Sequence, residues 1–138
     1  MYALKEFTEM LQRTDKKIIC FGTGLMAEEA LKESAIGERV VGFWDNDTWK
    51  QGRQIILLGQ SYPVWAPGEG LEQFGGQVVV LLTSGHYKAM EEQLKAMGIG
   101  ADVEIYIYPV MKVSYSADSE EFFEQRILME CSWKKETA

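Results

Sequence analysis

The stretch 17–27, KIICFGTGLMA, constrains this chain more than any other. An apolar run, Ile18-Ile19-Cys20-Phe21, leads into Gly22-Thr23-Gly24-Leu25-Met26-Ala27, which fits G-x-G-x-x-A. Strand, tight turn and helix must follow one another there. The first glycine makes the turn, the second lets a pyrophosphate approach the backbone, and the small third residue lets the helix pack on the strand. The helix points its free N–H groups and positive dipole end at the turn, where an anion is favoured. A second apolar run, 39–44 (RVVGFW), ends in Asp45 about 20 residues beyond Gly24, the spacing at which an acidic residue meets the adenosine ribose hydroxyls. A carboxylate there repels a 2′-phosphate and so favours NAD over NADP. The alternative is a glycine turn in another α/β protein, with Asp45 only a turn cap.

Periodicity lays out the rest. Residues 3–13 form a helix with Leu4, Phe7 and Leu11 on one face, packed across the sheet edge or bottom or against a partner. A strand over 17–21 and a helix over 25–34 follow, the helix burying Met26 or Ala27, Ala30 and Leu31, with Gly37 as its stop signal. The strand over 38–44 is apolar without alternation, as in a parallel sheet covered on both faces. Residues 45–52 are a polar turn. Short strands are expected at 55–58 and 62–66 around Gly59, the second near a sheet edge because of Pro63. One helical turn is expected over 69–74. A strand over 77–83 precedes a helix over 86–97 that buries Tyr87, Met90, Leu94 and Met97 and ends at Gly98. The strand over 103–108 alternates, with Val103, Ile105 and Ile107 on one face and Glu104, Tyr106 and Tyr108 on the other, and is placed at an edge. A last helix within 118–135 carries Phe122, Phe123, Ile127 and Trp133.

The expected fold is therefore α/β: one domain over 1–138, a doubly wound, Rossmann-like parallel sheet of order 3-2-1-4-5, with extra helices at 1–15 and 118–135. Right-handed crossovers collect Gly22, Gly24, Asp45, Asn46, Thr83 and Ser84 on the rim where ligands bind.

Composition narrows the function classes. A formal net charge of −7 argues against a phosphate-neutralising basic surface, and so against nucleic acid as partner. The N-terminus has no signal-peptide core and no apolar run approaches a membrane span. Two distant cysteines, Cys20 in an expected buried strand and Cys131, favour a reducing cytoplasm over a disulfide. One histidine and no close Cys/His pair leave little for a metal site.

FGTGLMA, VVGFWDNDTWKQG, YPVWAP and VVVLLTSGHYKAMEEQLKAMGI together resemble a known type of Rossmann module. It is the nucleotide-binding domain of bacterial nucleotide-sugar and surface-polysaccharide enzymes: the N-terminal domains of sugar O-acyltransferases, domains of membrane-linked sugar dehydratases, and methyltransferase-associated domains. The resemblance covers residues 16–108, and its most characteristic part is F-x-D-N-D-x-x-K-x-G from Phe43 to Gly52. It implies binding of NAD(H) or a nucleotide sugar in a sugar-modifying pathway. Gly22, Thr23, Gly24, Leu25 and Met26 would line the phosphates, and Asp45 and Asn46 the ribose side. Trp44 is bulkier than the aliphatic residue expected before the aspartate.

Catalytic signatures are weak. Tyr108-x-x-x-Lys112 has the letters of a dehydrogenase pair, but Pro109 directly after a strand forbids the helical turn that chemistry needs. His86 at the rim could titrate near neutrality, although no orienting partner is visible and a helix-start residue is the plainer reading. Lys50 could reach a phosphate or be a solvated surface charge. The leading expectation is a cytoplasmic NAD-binding module that is not catalytic as an isolated chain. The alternatives are a nucleotide-sugar or CoA-type binder without redox role, a small NAD-dependent sugar oxidoreductase, and a Rossmann-like interaction domain with an empty site. The terminal helices are the expected surface for a homodimer or a missing catalytic domain.

Overall fold

The computed structural model describes residues 4–108. The expected C-terminal helix, Cys131 and Lys112 lie outside the described residues.

Helix α1 (Leu4–Arg13) leads into strand β1 (Lys17–Phe21), and helix α2 (Leu25–Lys32) follows the glycine turn. The expected 25–34 helix breaks at Glu33, whose backbone is extended, and a short helix α3 (Ser34–Gly37) turns back to bury Ile36. Gly37 is required at that fold-back, since a Cβ there would lie 2.5 Å from the Leu31 carbonyl oxygen. Strand β2 (Val40–Trp44) follows, then β3 (Gln54–Leu57), β4 (Gln60–Trp65), a single 3-10 turn (Leu71–Phe74), β5 (Val78–Leu82), helix α4 (Tyr87–Ala96) and β6 (Ile105–Ile107).

The six strands form one sheet in the order β3-β4-β2-β1-β5-β6. This corrects the five-strand order 3-2-1-4-5. Neighbours from β4 to β6 pair in parallel, but β3 pairs antiparallel with β4. The two short strands around Gly59 form a hairpin, so both lie in the sheet. Leu58 and Gly59 take positive φ, 50° and 80°, the backbone that a two-residue hairpin turn with strand-matching twist requires. Strand β4 is second from the edge, with β3 on its outer side, so Pro63 lies near the sheet edge as expected. Val64 N–H donates to the Arg53 carbonyl on the β3 side, so by alternation the nitrogen of Pro63 faces β2. Pairing with β2 begins only at Phe43↔Val64, and the missing donor costs no ladder bond.

Alternation in the central strands builds a core on each face of the sheet. Ile18, Cys20, Phe43, Val79 and Leu81 face α1 and α2, joined by Phe7, Met10, Leu11, Ala27, Ala30 and Leu31. Helix α1 thus lies on a sheet face, with Phe7 edge-on to Tyr106 at 4.7 Å between ring centroids. Ile19, Phe21, Trp44, Val80, Leu82 and Ile105 face Leu94 of α4. Strand β2 keeps both cores through a register shift between Ile18↔Val40 and Ile19↔Gly42, where Val41 is the extra residue. The expected faces of the last strand hold: Val103, Ile105 and Ile107 line one core, Tyr106 and Tyr108 the other.

Helix α4 ends at Gly98 as expected. Gly98 N–H donates to the Lys95 carbonyl and Ile99 N–H to that of Leu94, a Schellman closure around the positive φ of Gly98. Ile99 rather than Met97 then packs on the core, and Met97 is 48% exposed, which corrects its place on the expected buried face. Among the described residues, no helix is long and apolar enough to cross a membrane.

Candidate functional site

Because β2, β1 and β5 are adjacent and parallel, their carboxyl ends bring three segments together: the glycine turn after β1, Asp45 after β2 and Thr83 after β5. Gly22 N–H donates to the Trp44 carbonyl, which ties the turn to β2. Gly22 has φ +118°, and a Cβ on it would lie 2.7 Å from the Thr83 carbonyl oxygen, so both conformation and packing require glycine there. Thr83 is buried, and its hydroxyl lies 3.1 Å from the Phe21 carbonyl and 2.9 Å from that of Gly22. It supports the turn from below.

Gly24 is different. It is the N-cap of α2, with extended backbone (φ −91°, ψ −154°) and no side-chain cap bond. Among the described residues, a Cβ at Gly24 would meet nothing within 4 Å. Leu25 beside it is 79% exposed. The first N–H groups of a helix have no acceptor within the helix, and those of α2 begin at this bare, open residue.

Thr23, between the glycines, donates its hydroxyl to Asp45 Oδ2 at 2.7 Å. Asp45 Oδ1 accepts Asp47 N–H at 2.8 Å, and the Asp45 carbonyl accepts the Gln51 side-chain amide at 2.8 Å. Asp47 folds the following loop, accepting Trp49 N–H on its carboxylate and Lys50 N–H on its carbonyl. That turn returns the Lys50 ammonium to the glycine turn, 3.0 Å from Thr23 Oγ1 and 3.7 Å from Asp45 Oδ2. Asn46 and Gln93 of α4 exchange two amide hydrogen bonds, at 3.0 and 2.9 Å, which fasten this loop to the helix after β5.

The structure therefore joins Gly22, Thr23, Asp45 and Thr83 in one bonded cluster and places Gly24, Leu25 and Met26 at its mouth. Ser84 is half-buried and accepts the N–H of His86, which caps α4 in an exposed position. Asn46 is exposed and tied to α4. One contributor escaped sequence reasoning, Gln93, which carries no local signal; Lys50, read in sequence as a phosphate contact or a solvated charge, stands at the turn. Trp44 points away from the site into the core on the α4 side, its indole N–H donating to the Glu69 carbonyl at 2.8 Å. Its bulk before Asp45 is thus a packing feature.

Burial in β1 pushes the Cys20 thiol well above its ordinary range, and burial together with Cys20 raises the Tyr62 phenol. Among the described residues, no group of three or more His, Cys, Asp or Glu side chains could hold a metal ion. The chain matches no family model and no curated protein.

Proposed function

We propose that this chain is a doubly wound, Rossmann-type nucleotide-binding module, with NAD(H) as the ligand best matched to its rim. The observation that carries the reading is Gly24. Neither its backbone nor its described neighbours require glycine, whereas a pyrophosphate resting on the N-terminus of α2 does. Asp45 and Thr23 would face the ribose, beside the turn. The likeness to domains of nucleotide-sugar enzymes supports a role in bacterial sugar or polysaccharide modification, in the cytoplasm, with a nucleotide sugar as the second ligand class.

A dehydrogenase also needs a proton-transfer group within reach of a substrate held against the nicotinamide. His86 is an exposed helix cap, and Tyr108 follows the edge strand β6. The module binds and does not turn over substrate alone.

Calorimetric titration with NAD tests the reading. Wild type should bind, and Gly24→Val should lose binding while the fold survives, its melting temperature lowered only by the poorer N-cap. Asp45→Ala should weaken NAD by about tenfold or more, since a charge-assisted hydrogen bond contributes about 1.5–3 kcal/mol. Unchanged affinity in Gly24→Val would remove the glycine turn as the phosphate site. Steady oxidation of reduced nicotinamide with UDP-, GDP- or dTDP-sugars, abolished by His86→Ala, would favour the oxidoreductase instead.

A further inference from the structure

Lys50 had two readings in sequence, a phosphate contact or a solvated surface charge. The fold places it. The loop after β2 turns on Asp47, and the Lys50 ammonium arrives closer to the hydroxyl between the two glycines (3.0 Å) than to the Asp45 carboxylate (3.7 Å). A lysine that only neutralised Asp45 would hydrogen-bond the carboxylate directly. Here both carboxylate oxygens already accept other donors, Thr23 O–H on one and Asp47 N–H on the other. Thr23, having given its proton to Asp45, presents a lone pair to the ammonium.

An ammonium carries three N–H donors. Thr23 takes one, and Asp45 Oδ2 at 3.7 Å lies beyond hydrogen-bond distance. The Lys50 side chain is 42% exposed against 18% for Asp45, so the charge nearer the open side of this cluster is the positive one. The residue after Thr23 is Gly24, with its empty flank. A held point charge with donors to give, next to a bare helix N-terminus, suits a phosphate group.

We propose that Lys50 is a phosphate-binding residue of this site, held in place by Thr23 and Asp45. Its partner is a phosphate of a nucleotide, either the diphosphate bridge or a phosphate on the ribose. This inference rests on the nucleotide reading above. It adds a specificity rule: Lys50 contributes to phosphorylated ligands and nothing to the bare nucleoside.

The test is titration of the whole chain with adenosine, uridine, ADP, UDP and adenosine 2′-phosphate, for wild type, Lys50→Met and Lys50→Arg. Lys50→Met should weaken the phosphorylated ligand that wild type binds by about tenfold or more and leave its nucleoside within about twofold. Lys50→Arg should restore most of the loss. The ADP and 2′-phosphate arms identify which phosphate is held. Equal losses for nucleoside and nucleotide would show that Lys50 only shapes the turn, and unchanged nucleotide affinity would likewise overturn the inference while leaving the module a nucleotide binder. Wild type that binds none of the five would overturn the nucleotide reading and this inference together. Should Lys50→Met fail to fold, Lys50→Gln decides in its place: nucleotide affinity must fall by about tenfold or more and nucleoside affinity must not.

Discussion

Two regions of this protein are built on glycine, and they use it in opposite ways. On the hairpin side, Gly42 and Gly70 flank the indole of Trp65, and a Cβ would lie 2.4 Å from the ring at Gly42 and 3.0 Å at Gly70. The protein fills that missing volume with its own side chain. At the rim, Gly22 is closed in the same manner by Thr83, but Gly24 opens on nothing within 4 Å among the described residues. A glycine whose space is taken by a neighbour is explained by the fold. A glycine whose space stands open without a positive φ, as at Gly24 and Gly85, is not explained by packing. That difference, at the helix N-terminus after β1, is what the proposed phosphate site rests on.

The comparison can be broken by substitution, beginning with the largest effect. Gly22→Ala combines a positive φ with a collision against a backbone carbonyl that cannot rotate away, and should cost about 3 kcal/mol or more. Urea unfolding checks this, and a loss below about 1 kcal/mol would mean the turn is looser than its bonds to Trp44 and Thr83 imply.

Gly42→Ala has no conformational strain, only the Trp65 ring to displace, and that ring is half-buried. A loss of about 2 kcal/mol is expected. Trp65→Leu should recover most of it in the double variant, because the two changes share one volume. Additive losses would show that the ring does not fill the space over Gly42.

The two regions also share one core face, which holds Cys20 below the glycine turn and Tyr62 on the hairpin. Burial raises the Cys20 thiol above its ordinary 9.0. Above that pH the unfolded thiol ionises while the folded one stays protonated. The unfolded state then binds fewer protons, and stability falls as pH rises, by up to about 1.4 kcal/mol per pH unit. Unfolding midpoints from pH 8 to about 10 should fall more steeply in wild type than in Cys20→Ala. Parallel slopes would place Cys20 in contact with water.

The smallest expected effect is the most discriminating. Gly24→Ala should cost no more than about 1 kcal/mol, the advantage of glycine over alanine at a helix N-cap. A cost comparable to that at Gly22 would make Gly24 a folding requirement and remove the argument for a ligand there.

How much of this was legible beforehand follows the range of the interactions concerned. Strand β1, the turn and the start of α2 stood where the apolar run and the glycine spacing put them, because each depends on neighbours in the chain. The faces of β6 and the stop at Gly98 were legible for the same reason. Pro63 was legible as well: its missing donor argues against a central strand, and β4 lies next to the edge strand β3, with pairing to β2 beginning only at Val64. Met97 misled because helical periodicity continues past the point where the Schellman closure hands the core contact to Ile99.

By itself the sequence determined the alternation of strands and helices, the glycine turn with Asp45 behind it, and the strands whose apolar runs demanded two covered faces. These are consequences of backbone conformation and of burial periodicity, which act over a few residues. Only the tertiary structure decided that β3 and β4 form a hairpin at the sheet edge, that Trp65 rather than a ligand occupies the space over Gly42, and that Lys50 returns to the turn it follows by 26 positions from Gly24. Those outcomes depend on which distant surfaces meet, and no local pattern encodes the distance between Thr23 and Lys50.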